Sequence, residues 1–452
     1  MDLLNPIDAI FLATESREHP MHVGGLQVFE PPPDADDDFV RVLYDEAQAA
    51  TDVRPRFRRR PGRLLGGFSS VVWSHAEDVD LGYHLRRSAL PAPGGDTELL
   101  DLVGRLHSTL LDRHRPLWEG RVVEGLADGR FAVYVKVHHA LMDGVSALRL
   151  LQRSLTDDPF DTRLRTPWTM ARPEPDGETG PGLWEQLRKA LPRIATGAGA
   201  GAAAVRALTE GRLELPLSAP PTMFNVPIGG ARSVAIGSWP LQRIHAVRRA
   251  TGTTVNDVVL AMSAGALRAY LLERNALPDK PLTAMVPVDM RGPGDSDGEG
   301  NMVAATLCNL ATDLADPAAR LHAIHDSMLR SKQVFQQLPQ WEAIALSALL
   351  MSPLGVTLVP GFQALPRVPF NLVISNVPGP RKPVYLQGAR LHSNYPLSIP
   401  FDGQAVNITV TSTADTLDFG LVACRRSVPQ LSRMIEHLDT ALAELVAATT
   451  AG

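Results

Sequence analysis

The sequence predicts an α/β protein of two layered domains joined by a linker. Three observations predict it. Segments rich in β-branched and aromatic residues alternate with longer helix-patterned ones on both sides of the middle of the chain. Residues from about 159 to 221 break that pattern, opening on PFDTRLRTPWTMARPEPDGETGPG, where Pro, Gly and charge crowd together. The length of 452 residues is enough for two or three domains. The expected units are 1–158, a linker with a helical segment at 159–221, and 222–452.

The elements follow in chain order. FAVYVKV (131–137) reads as a strand, because β-branched and aromatic side chains fit a pleated surface. VSALRLLQR (145–153) is rich in helix formers and reads as a helix. Within the linker, LWEQLRKALPRIATGAGAGAAAVRALTEG is helical in part but weakened by Pro192 and its glycines. Beyond it, 255–272 reads as a helix, as do 318–331 and 428–447. Strands are expected at 282–288, 303–310, 371–375, 406–411 and 417–423. No short-period repeat stands out. AIALSALLMSPLGVTLVPGFQALP (343–366) carries no charge and is long enough to span a membrane, but Pro353, Gly355 and Pro360 interrupt it. A buried helix plus loop is expected there, with a lipid-docking surface as the alternative.

Composition excludes several classes. Hydrophobic residues make up 44% and charged residues 21%, ordinary for a globular protein with real cores. A net charge of -5 is no nucleic-acid signature. The two cysteines, Cys308 and Cys424, form no C-x-x-C pair, which disfavours a disulfide framework or a Cys-rich zinc site and points to a reducing compartment. MDLLNPIDAIFLATES has no basic opening and carries Asp2 and Asp8, so a secretory signal is not expected.

The chemistry concentrates at VHHALMDG (137–144), where the first strand ends and the first helix begins. A metal site is one reading: on a helix His139 and Asp143 would share a face, but zinc wants three or four ligands and no H-E-x-x-H signature occurs. A histidine pair satisfied by the backbone, with no chemistry, is another. A general base explains more. Imidazole titrates near neutral pH, a strand terminus presents it rigidly, and Gly144 permits backbone geometry or close packing that other residues resist. No G-x-S-x-G elbow is present, so a serine hydrolase is disfavoured. A lone histidine base suits direct transfer of an already activated acyl group, such as a thioester.

Other signals carry less. RPRFRRRPGR (54–63) holds six arginines in ten residues and is expected to be a solvated basic face, with CoA phosphates or anionic lipid as alternative partners. DSDGEG (295–300) opens like a calcium loop, but position twelve is Thr306 and the EF-hand fails. LDFGLVA (417–423) contains D-F-G without the other kinase motifs.

HHALMDG resembles the H-H-x-x-x-D-G motif of CoA- and carrier-thioester-dependent acyltransferases. Within them the chain resembles the bacterial wax ester synthase/acyl-CoA:diacylglycerol acyltransferase family. PIDAIFLATES (6–16), HPMHVGG (19–25), RPLWEG (115–120), HHALMDG, TVNDVVLA (254–261), VPVDMR (286–291) and NLVISNVPGP (371–380) recur in the family's order across nearly the whole chain.

The resemblance implies two chloramphenicol-acetyltransferase-like α/β domains joined by a crossover, with an active-site tunnel between them. It implies His139 as general base and His138 as a packed or hydrogen-bonded support. Asp143 would turn away from the histidines and pair with an arginine, for which Arg291 is the candidate. Asn256 and Asp257 belong to a helix-start motif, where Asn256 either caps the helix or faces the site. Ser375 and Asn376 end a strand; they could supply an oxyanion donor, though a turn is the plainer role. Pro116, Leu117 and Trp118 should shape or underlie the tunnel floor. The implied reaction esterifies a lipid alcohol, diacylglycerol or a long-chain fatty alcohol, with a long-chain acyl-CoA. No metal or cofactor is expected, because CoA arrives with the substrate. A cytoplasmic protein peripheral to membrane or lipid droplets is expected. The rivals are a carrier-protein-dependent acyltransferase and a non-catalytic lipid-binding paralogue.

Overall fold

The computed structural model describes residues 2–4, 6–63, 70–170, 214, 217–289, 303–338, 342, 343, 346, 347, 350 and 368–450. Among these, two six-stranded sheets carry the architecture. The first runs, edge to edge, Tyr385–Leu386, Ala389–Leu397, His22–Glu30, Phe131–His138, Trp118–Glu124 and Leu85–Ala89. The second runs Val303–Asn309, Thr283–Asp289, Leu372–Val377, Val406–Thr413, Thr416–Cys424 and Arg232–Pro240. A small three-stranded sheet joins Asp2–Leu3, Ser70–His75 and Arg59–Arg63.

Strands and helices alternate in both halves, as the composition of the segments predicted. The strand expected at 131–137 is Phe131–His138, and the helix expected at 145–153 is Gly144–Arg153. The helix at 255–272 is found as Val255–Leu272. One expectation needs correcting. The span 222–452 is not self-contained, because Ala389–Leu397 leaves it and pairs antiparallel with His22–Glu30. A strand's own sequence shows that it will pair and not with whom, since backbone ladders are chemically alike everywhere.

Val255–Leu272 shows how the second core is built. Thr254 caps it, its hydroxyl accepting from Asp257 N–H at 3.2 Å while Asp257 Oδ2 accepts from Thr254 N–H at 2.9 Å. This reciprocal box satisfies two otherwise orphaned donors. Beyond it nearly every side chain is buried, because the helix is sandwiched between the second sheet and the helices Pro317–Gln336 and Arg433–Thr450. Each buried Leu or Val there stabilises by about 1.5–3 kcal/mol. Gly265 permits the close approach: a Cβ there would lie 2.8 Å from Cβ of Ala441. Among the described residues this is the one helix long and apolar enough to cross a membrane, and its apolarity faces this core. The uncharged stretch 343–366 lies almost wholly outside the described residues.

The two sheets meet at a seam where Leu26, Val28 and Tyr134 of the first pack with Val234 and Val422 of the second. The D-F-G segment is part of that seam. Asp418 is fully buried and accepts from Ser238 Oγ at 2.7 Å, Asn394 N–H at 2.9 Å, Thr413 Oγ1 at 2.6 Å and Thr416 Oγ1 at 3.0 Å. Gly420 lets the strands cross, since a Cβ there would sit 2.1 Å from the Pro396 carbonyl oxygen. The basic run 54–63 is exposed at Arg54, Arg56 and Arg60, and it is also anchored. Arg54, Arg56, Arg58 and Arg60 each donate to a backbone carbonyl, of Thr169, Leu141, Val53 and His114 respectively.

Candidate active site

The motif loop grows out of the end of Phe131–His138. Alternation along that strand puts Tyr134, Lys136 and His138 on one face, and the turn begins where Leu141 N–H donates to His138 O at 2.9 Å. Asp143 closes the turn. Its backbone is extended, and its carboxylate caps Gly144–Arg153 by accepting from Ser146 N–H at 2.8 Å and Ser146 Oγ at 3.0 Å. Arg56 pins the loop by donating from Nη2 to Leu141 O at 3.1 Å. Gly144 does not fill the role expected of it. It has no positive φ, and an added Cβ would meet Val23 at an ordinary 3.5 Å.

His139 lies beyond the strand and keeps some accessible surface. Its amide donates to Met21 O at 2.8 Å, and its ring stacks on Phe11 with centroids 4.2 Å apart and planes 26° from parallel. Burial strips water from the ring and lowers its pKa from 6.5 to about 4, with Asp143 pulling the other way. The imidazole is therefore neutral, and able to accept a proton, well below neutral pH.

His138 is fully buried. Its Nδ1 accepts from Ala140 N–H at 3.0 Å, which places the ring proton on Nε2. Nε2 stands 3.3 Å from Glu15 Oε1, an oblique charge-assisted contact. Glu15 is 1% exposed and also accepts from Arg113 Nε at 3.0 Å and Met21 N–H at 3.3 Å. Burial alone would raise the Glu15 pKa, but His138, Arg113 and the Met21 amide outweigh it and hold it below the usual carboxylate value.

The Pro116-Leu117-Trp118 element lies directly beneath. Leu117 O accepts from His138 N–H at 3.0 Å, and Trp118 donates from Nε1 to Phe57 O at 2.9 Å. Trp118 stacks between His84 at 4.5 Å and Trp168 at 5.2 Å, in the core role expected of it. Asp257 serves the helix cap and holds His325 Nδ1 at 2.8 Å. The cap itself is Thr254, so Asn256 is not the capping residue. Ser375 and Asn376 lie within Leu372–Val377, opposite Thr409 and Val410, rather than in a turn. Arg291, proposed to pair with Asp143, lies outside the described residues, as does 295–300. Among the described residues no three His, Cys, Asp or Glu side chains converge as a metal set.

The sequence reading missed Phe11, Glu15, Met21, Arg56 and Arg113. Glu15 sits inside PIDAIFLATES, one of the quoted stretches, but a single carboxylate after a helix has no local pattern to mark it.

The site also touches the second half of the chain through residues 17–22. His19 Nε2 lies 2.9 Å from Asp402 Oδ2, and Arg232 Nη2 donates to Glu18 O at 3.0 Å. Three residues on, Met21 O holds His139. The His139 imidazole thus lies three residues from a contact between the two halves of the chain.

Comparison with known proteins agrees with this geometry. Residues 4–259 match the wax ester synthase/diacylglycerol acyltransferase catalytic domain, and residues 299–446 match the C-terminal domain of the same family. A Mycobacterium tuberculosis protein assigned as a diacylglycerol O-acyltransferase is 55% identical over 443 residues, 98% of this chain and 99% of that one. The structure of the wax ester synthase/diacylglycerol acyltransferase from Marinobacter aquaeolei VT8 is similar with a TM-score of 0.78 at 40% identity, over 99% of this chain and 100% of that one. The first condensation domain of the calcium-dependent antibiotic synthetase shares the fold, with a TM-score of 0.59 at 15% identity over 99% of this chain and 96% of that one. The chain therefore belongs to the wax ester synthase/diacylglycerol acyltransferase family.

Proposed function

We propose that this protein transfers a long-chain acyl group from acyl-CoA to the hydroxyl of diacylglycerol or a long-chain alcohol, with His139 as general base. The observation that carries the reading is the partly accessible, neutral imidazole of His139, its backbone held by Met21 O and its ring stacked on Phe11. The family match over nearly the whole chain supports the substrate class.

A ring nitrogen of His139 takes the proton of the acceptor hydroxyl as its oxygen attacks the thioester carbonyl. The tetrahedral oxyanion collapses, the C–S bond breaks, and the CoA thiolate takes the proton back. Base catalysis of this kind contributes about 10²–10⁴-fold. Positioning and oxyanion stabilisation supply much of the rest. The two substrates would enter a tunnel between the domains from opposite ends. No further cofactor enters this scheme, because CoA arrives as part of the donor. In the same scheme Asp143 shapes the loop and Arg291 is its outward partner.

The protein would work in the cytoplasm, peripheral to membrane or lipid droplets. Free CoA release from palmitoyl-CoA, with diacylglycerol or hexadecanol as acceptor, tests the reading. Acceptor-dependent release by the wild type that collapses in His139→Ala is expected. Release unchanged in His139→Ala removes the base from this mechanism. A folded wild type silent with both acceptors points to a carrier-bound donor or to a lipid-binding protein.

A further inference from the structure

Glu15 stands 123 residues before His138, yet its carboxylate is the point where three supports of the motif converge. Oε2 is anchored by Arg113, whose Nη2 also donates to Leu12 O at 2.5 Å and so ties the end of the Pro6–Thr14 helix to the segment before Pro116. Oε1 accepts from Met21 N–H at 3.3 Å and lies 3.3 Å from His138 Nε2 in an oblique contact. Met21 in turn holds the amide of His139 through its carbonyl. One buried oxygen therefore meets both histidines, one by packing against its ring and the other through its backbone. A fully buried carboxylate with this much charge-assisted bonding is costly to keep unless its placement matters.

We propose that Glu15 is a positioning residue for the transfer reaction, packing against the His138 ring and holding Met21 as the clamp that aims His139. Glu15 touches no substrate; it acts through its neighbours. The inference rests on the reading of His139 as the base. A side chain whose support is lost drifts by fractions of an ångström, and misplacement of about 1 Å can cost about 10²-fold in rate.

The test compares Glu15→Leu, which keeps volume and removes the acceptor, with Glu15→Gln, which keeps an acceptor oxygen and removes the charge. CoA release is measured per folded molecule, with His139→Ala alongside. Glu15→Leu is expected to lose about 10- to 100-fold in kcat, with the KM for palmitoyl-CoA within about threefold of wild type. Glu15→Gln should recover most of that loss. Nitrogen-15 spectra of labelled histidines should show the same ring signals for His138 and His139 in the wild type and in Glu15→Gln, and shifted ones in Glu15→Leu. A role in folding alone would leave kcat per folded molecule and the ring signals unmoved. Wild-type kcat in Glu15→Leu overturns the inference, as does a folded Glu15→Gln that is as slow as Glu15→Leu. If Glu15→Leu does not fold, Glu15→Asp decides: a kcat loss of about fivefold or more is expected from the shortened arm, and unchanged kcat overturns the inference. An active His139→Ala would instead strike at the proposed base, so the two failures are distinct.

Discussion

The acid limb of the rate profile offers a direct check on the site's electrostatics. Free imidazole with a pKa of about 6.5 would be about nine-tenths protonated at pH 5.5, and a base in that state would have lost about 90% of its activity. Burial lowers the His139 pKa to about 4. At that value the ring is about 97% neutral at pH 5.5, so kcat/KM should barely change between pH 7.5 and 5.5 and should fall only near pH 4. The sign follows from the cause: water withdrawn from the ring disfavours the cation. Phe11 is part of that cause, being 3% exposed and stacked at 4.2 Å. Phe11→Ala should admit water and move the acid limb upward by about one unit or more. Phe→Ala in a core costs about 3–5 kcal/mol, so Phe11→Leu serves as the milder variant and should move the limb less. CoA should be quantified by chromatography, because thiol reagents react slowly in acid, and circular dichroism should confirm folding at each pH. A wild-type limb near pH 6.5 would refute the reasoning, and so would a folded Phe11→Ala enzyme with an unmoved limb.

Stability should also fall in acid. His22 and His107 are buried and their pKa values are depressed, His107 to about 3 by loss of water and by Arg232 and Lys136. The unfolded chain binds protons there first, so stability is complete above pH 6.5 and declines as pH falls toward 3. His107 alone accounts for up to about 5 kcal/mol at the lower end. Urea midpoints between pH 7.5 and 4.5 should decrease steadily; a flat series would contradict this. Asp143→Ala removes the helix cap and should cost about 1 kcal/mol, while Asp143→Asn should cost less, both read from denaturation midpoints. Gly420→Ala drives a Cβ to 2.1 Å from Pro396 O and should leave little soluble folded protein. Well-folded Gly420→Ala of normal stability would show that the sheet seam can shift.

Local order was legible where local physics decides it. The strand–turn–helix around VHHALMDG follows from a β-branched and aromatic stretch giving way to helix formers, and the helix Val255–Leu272 follows from a mostly apolar run, whereas its Thr254 cap and the Asp143 cap emerged only from the structure. The histidine motif itself was legible because it is short and contiguous. The basic run 54–63 was legible only in part. Six arginines look alike in composition and three of them are exposed, but four are taken by the carbonyls of residues 53, 77, 114, 141 and 169, which only the fold brings near. Gly144 misled, since its motif position suggests a special backbone and the structure has an ordinary one.

The sequence by itself determined the element types, the family and the residue placed as the base. Each rests on contacts within a few residues or on an ordered set of short motifs. Tertiary structure alone decided that Ala389–Leu397 completes the first sheet, that Asp418 and Gly420 build the seam, and that Glu15 joins His138. Those contacts span 24 to 373 residues of chain. Pairing at such separation is set by which surfaces the whole core can bury together, a sum over many weak contacts that no single segment encodes.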